Sequence, residues 1–85
     1  MVIGRIFLNK KVDRTLDCIG LYCPEPVFRT RIELDKMEVG EVLEVLADDP
    51  AAETDIRSLV KNLGQELLEV NSVGKEVKLI IRKVK

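Results

Sequence analysis

The apolar residues between Ala52 and Leu63 repeat with a helical period, and this constrains the fold more than any other feature of the chain. Ala52, Ile56, Leu59, Val60 and Leu63 fall at i, i+4, i+7, i+8 and i+11, one stripe of an amphipathic helix. Asp49 is placed to cap its start, Pro50 fits the first turn, and Gly64 suits the left-handed position just past the end. Such a helix needs an apolar layer to lie on, and the segments around it supply strands. Arg14 to Cys18 alternates polar and apolar, with Leu16 and Cys18 to one side. Glu41 to Ala47 reads the same way, with Leu43, Val45 and Ala47 on one face. Glu66 to Ser72 and Glu76 to Val84 are two further strands, joined as an antiparallel hairpin around Val73, Gly74 and Lys75.

A second helix is expected between the first two strands. The residue before a proline is pushed towards extended geometry, which disfavours helix at Cys23 and Glu25. The helix therefore starts near Pro26, with Glu25 as its cap-like predecessor and Pro24 as the competing first position. Val27, Thr30, Leu34 and Met37 form its inward stripe, flanked by Phe28, Arg31 and Ile32, and Val39-Gly40 follows its end. The order is β-α-β-α-β-β. Both helices bury their stripes most economically on one face of a four-stranded mixed sheet, an α/β (α+β) two-layer sandwich. The other face would then show Val42, Leu46 and Ile80 among polar residues, a patch suited to binding another protein or simply scattered surface aliphatics.

A chain of 85 residues makes one domain, burying about 60 to 65% of the surface its unfolded form exposes. The expected division is residues 1–12 as an N-terminal extension of uncertain structure and residues 13–85 as the single domain. The chain has 14 Lys and Arg against 15 Asp and Glu, so no long-range field favours phosphate backbones, and direct nucleic-acid binding is not expected. Low aromatic content and the absence of Trp argue the same way. The short apolar runs exclude a membrane-spanning helix, and no signal peptide is visible, which makes the cytoplasm the expected location. Two cysteines and no histidine are too few for a four-ligand zinc site, so no metal is expected.

The chemistry then rests on cysteine. With no histidine in the chain, a nucleophilic Cys23 depends on backbone, helix dipole or Lys/Arg for activation. It lies between a Gly-containing turn and a helix start, with Arg29 and Arg31 in the next turns, and these features favour a thiolate. Pro24 and Pro26 remove two amide donors, and Glu25 adds an opposing charge, so activation is expected to be modest. The bland alternative is a buried, inert cysteine. That reading is stronger for Cys18, which shares the inner strand face with Leu16.

"LDCIGLYCPEP", followed by "ADDPAAETDI" and ending in "LIIRK", resembles the TusA/SirA-like sulfur carrier family (UPF0033) from Arg14 to Lys83. The resemblance implies the β-α-β-α-β-β sandwich and a persulfide sulfur carried on the cysteine of a Cys-Pro-x-Pro motif. Here that cysteine is Cys23, with Pro24 and Pro26 as stiffening residues and Glu25 as the variable one. Arg31 matches a basic position of the family, and with Phe28 it is a candidate partner or anion contact. Cys18 stands where relatives often carry a small residue, and its closeness in sequence makes it a candidate resolving thiol. The implied function is a sulfurtransferase component without a cofactor. It accepts sulfur from a cysteine desulfurase or other sulfurtransferase and passes it to an acceptor protein, for tRNA thiolation, sulfur oxidation or molybdenum-enzyme maturation. The alternatives are a non-catalytic regulatory or interaction module with a structural Cys23, and an RNA-binding domain.

Overall fold

The computed structural model describes residues 12–85; the expected N-terminal extension lies almost wholly outside the described residues. The elements are β1 (Arg14–Cys18), α1 (Glu25–Lys36), β2 (Val42–Ala47), α2 (Ala52–Leu63), β3 (Glu66–Val73) and β4 (Glu76–Arg82), the expected order. They form one sheet with strand order β1-β2-β4-β3. β1 runs parallel to β2, with Leu16 opposite Val45 and Cys18 opposite Ala47. β4 lies between β2 and β3, antiparallel to both. The β-α-β unit thus fixes the two outermost strands on one side, and the hairpin closes the other.

Register decides which face carries the core. Cys18, Leu43, Val45, Ala47, Val77, Leu79 and Ile81 share one side of the sheet and are buried together with Leu34, Met37, Ala52, Ile56 and Val60 from the two helices. Both helices therefore lie on one face, in two layers. In β3 a register shift between Leu67 and Glu69 sets an extra residue into the strand. The shift is why Leu67 and Val70, three apart, both pack against the core.

The end of α2 follows local chemistry, and the start of α1 departs from it. Gly64 ends α2 in the left-handed region (φ 74), and the Gly64 and Gln65 amides return to the Lys61 and Val60 carbonyls at 3.2 and 3.0 Å. α1 begins at Glu25, with Pro24 as its N-cap, one residue before the start expected from the prolines. The turn into it is closed by the Glu25 amide donating to the Tyr22 carbonyl (2.9 Å) and the Phe28 amide to the Pro24 carbonyl (3.1 Å). Pro26 then sits in the first turn, where its missing amide leaves no helical bond unmade. Pro26, not Val27, leads the buried stripe; Thr30, Leu34 and Met37 follow as expected. The Thr30 hydroxyl donates to the Pro26 carbonyl (2.7 Å), so the one buried polar side chain among the described residues is satisfied.

The opposite sheet face keeps the expected alternation but not the expected exposure. Val42 and Ile80 are only 9% and 4% exposed. They occupy the two central strands, with Arg82 opposite Val42, and Glu44 and Glu69 opposite Ile80. Long aliphatic stems of such neighbours cover apolar surface while their charges stay wet. Charged pairs cross this face, Lys78 with Glu44 at 3.5 Å and Arg82 with Glu66. Among the described residues, Val42 and Ile80 therefore add little apolar surface to this face.

Candidate functional site

Because β1 and β2 are parallel, the loops leaving their C-terminal ends come side by side, residues 19–24 from one and 48–51 from the other. Two adjacent acids in the second loop hold the first. Asp48 Oδ1 accepts from the Gly20 amide at 2.9 Å, and Asp49 Oδ2 accepts from the Cys23 amide at 2.6 Å. The other Asp49 oxygen accepts from the Ala51 amide at 3.2 Å. Asp49 was expected to cap α2. Instead Ala51 occupies the N-cap, and α2 has no side-chain cap bond. The carboxylate bridges the two loops, a long-range role that local capping preference does not reveal. Asp17 Oδ1 accepts from the Ile19 amide (3.0 Å) and stiffens the exit of β1.

Cys23 is exposed and unpaired at the mouth of α1, after Tyr22, whose side chain is also exposed. The peptide bond to Pro24 is cis. Among the described residues, the Cys23 thiol faces carboxylates and no cation. Sγ donates to Asp55 Oδ2, in the first turns of α2, at 3.5 Å. That hydrogen bond, then partial desolvation, then the negative charges of Asp55 and Asp49 push the thiol above its ordinary value. The direction is opposite to the modest activation expected from the helix start and nearby arginines. The reason is geometric: the Arg29 guanidinium is turned to Glu25 at 3.0 Å. Asp49 and Asp55 were the residues sequence reasoning missed as neighbours of the thiol. The signal available was the acidic stretch Asp48 to Asp55 after a strand parallel to the cysteine-bearing one.

Pro24, Glu25 and Pro26 lie directly behind Cys23, Pro24 and Glu25 exposed and Pro26 buried in the core. One turn further on, Phe28 and Ile32 stand 57% and 54% exposed with the exposed Arg31 beside them. Arg31 forms no ion pair among the described residues. On the other side of the cysteine loop a groove of about 570 Å³ includes Tyr22, Asp48, Asp49, Glu53, Lys75 and Glu76 in its lining. Cys18 is fully buried, and burial pushes its thiol up, partly offset by Arg29. It packs in the core below the sheet's helical layer, a placement that fits a small apolar side chain.

The family model described as Sulfurtransferase TusA matches residues 14–83, which spans all six elements. The chain belongs to the TusA family. An Archaeoglobus fulgidus protein named "Putative sulfur carrier protein" is 56% identical over 71 residues, 84% of this chain and 92% of that one. The Bacillus subtilis protein YrkI, similarly named, is 40% identical over 73 residues, 86% of this chain and 97% of its own length. The crystal structure of a SirA-like protein from Desulfitobacterium hafniense has the same fold, with a TM-score of 0.74 at 24% identity, covering 85% of this chain and 99% of the other. Among the described residues of this TusA-family chain, no helix is long and apolar enough to cross a membrane.

Proposed function

We propose that this TusA-family protein is a sulfur carrier that accepts persulfide sulfur on Cys23 from a cysteine desulfurase or other sulfurtransferase and hands it to an acceptor protein. The observation that carries this reading is the thiol itself: exposed, unpaired, and mounted on a loop pinned through its own backbone amide to Asp49. The names of the relatives support it. In loading, Cys23 Sγ forms a bond to the outer sulfur of the donor's persulfide. The donor's S–S bond breaks, its electron pair stays on the donor sulfur, and the proton displaced from Cys23 ends there. One sulfane sulfur changes hands with no net oxidation. Such a carrier turns over only with partner enzymes. Incubation with a cysteine desulfurase and cysteine should add the mass of one sulfur atom, lost again on reduction; an unchanged mass would defeat the proposal.

We assign donor docking to the surface of Phe28, Arg31 and Ile32, which offers two exposed apolar side chains around an exposed cation in the turns of α1 that follow Cys23. Reversing a peripheral charge acts mainly on association. Arg31→Glu is expected to slow loading by about tenfold, the equivalent of about 1.4 kcal/mol, while leaving alkylation of Cys23 by iodoacetamide unchanged. Equal loading rates for the two proteins would remove Arg31 from the docking surface.

A further inference from the structure

A carrier thiol that must react with a partner would be expected to sit near positive charge, yet the charges set against Cys23 are negative. From α2 the Asp55 carboxylate accepts a hydrogen bond from the thiol at 3.5 Å, and from the loop before it Asp49 accepts from the same residue's amide at 2.6 Å. On α1, Glu25 and Arg29 are bonded to each other and present no net charge to the sulfur. Arg31 lies a further half-turn along α1 and is exposed to solvent. Glu53, two residues before Asp55, is bonded to Arg57 at 3.0 Å and lines the groove on the far side of the loop. Among these groups Asp55 is the one that touches the sulfur.

We propose that Asp55 is the positioning residue of the carrier thiol: its carboxylate holds the Sγ–H bond of the free protein turned towards α2, keeping Cys23 in the protonated, unreactive form until a partner displaces that contact. The inference rests on Cys23 being the sulfur-bearing residue, and it adds how that residue is kept quiet between transfers. A thiol accepts alkylating agents and oxidants only as thiolate, so a carrier held in this way is protected while it travels unloaded. Its release requires no conformational change of the fold. The side chain of an exposed Cys23 needs only to turn away from Asp55, or the charge of Asp55 to be met by a cation of the docking protein. The arrangement also separates the two helices' tasks: α1 presents the docking surface, and α2 accepts the thiol's hydrogen bond.

The test is alkylation of the free protein, which needs no sulfur partner. Wild type, Asp55→Asn and Glu53→Gln are treated with iodoacetamide across a pH series, on a background in which Cys18 is Ala so that one thiol is read. The expected result is that the alkylation midpoint of Asp55→Asn falls to lower pH. Near neutral pH its rate rises about threefold for each pH unit of that fall, because the tenfold gain in thiolate is partly offset by weaker intrinsic nucleophilicity. Glu53→Gln should follow the parent, and in urea all three proteins should alkylate alike. Asp55→Glu, which keeps the charge, should keep a midpoint above that of Asp55→Asn. A midpoint in Asp55→Asn equal to or above the parent's overturns the proposal, as does an equal fall in Glu53→Gln, which would mean a diffuse acidic field. Failure of wild type to take up sulfur would instead defeat the carrier reading and leave this result standing.

Discussion

Cys23→Ser should melt within experimental error of the wild type and take up no sulfur from a desulfurase. Serine has nearly the shape of cysteine, and its hydroxyl can donate to Asp55 as the thiol does; surface changes of this kind usually stay within about 0.5 kcal/mol. The backbone amide of residue 23 keeps its bond to Asp49, so the loop should hold its place. What disappears is the nucleophile. A hydroxyl is far more basic as an anion than a thiolate and forms no stable bond to sulfane sulfur under these conditions, so the loss of loading should be complete. Cys18→Ala makes the opposite case, since Cys18 is fully buried in the core. It should load to the same stoichiometry as wild type, and a large loss of loading there would reinstate Cys18 as a resolving thiol. Both measurements are intact-protein mass spectra after the same incubation.

Leu79→Ala should cost about 2 to 5 kcal/mol, the usual range for truncating a fully buried leucine. Leu79 is 0% exposed at the middle of β4, the strand inserted between β2 and β3, opposite Val45 on one side and Val70 on the other. It therefore meets both neighbours as well as the layer formed by Ile56 and Val60. A domain of this size has a total stability of about 4 to 13 kcal/mol, so the substitution removes a large share of it. Urea unfolding should show a lower midpoint with an unchanged slope. Leu46→Ala, half-buried on the face away from the helices, should lose far less. Similar losses for the two would mean that the core is not concentrated between sheet and helices.

Periodicity carried most of this architecture into the sequence, because a buried stripe must repeat with the geometry of the element that bears it. The Ala52–Leu63 stripe, the Leu16 and Cys18 pair and the Leu43, Val45, Ala47 face all fall where their spacing puts them. Spacing says which side of a strand faces inwards and nothing about which strand lies beside it. The insertion of β4 between β2 and β3 was therefore not legible, and neither was the burial of Val42 and Ile80 on the face away from the helices. The start of α1 was misplaced by one residue for a related reason. Steric preference before proline is a local rule, while the turn bonds from Tyr22 and Pro24 hold Glu25 in the helix.

The site divides along the same line. Cys23, the flanking prolines and the exposed Phe28 and Arg31 could be read from the chain because adjacent residues stay adjacent. The carboxylates could not. Asp49 and Asp55 lie 26 and 32 residues from the cysteine they bind, and each invites a local reading, Asp49 as a cap and Asp55 as a favourable charge in a helix's first turns. Only the parallel pairing of β1 with β2 brings the two loops together. That juxtaposition changes the chemistry expected of Cys23, from a thiol favoured as an anion to one held as a thiol.

The central claim is that Cys23 carries transferable sulfane sulfur, and cyanolysis measures this most directly. Protein loaded by a cysteine desulfurase with cysteine, then freed of donor and excess substrate, is treated with cyanide, which removes sulfane sulfur as thiocyanate and returns the thiol. The account predicts about one thiocyanate per chain from wild type and none from Cys23→Ser. No thiocyanate from wild type, or the same yield from both proteins, would contradict it.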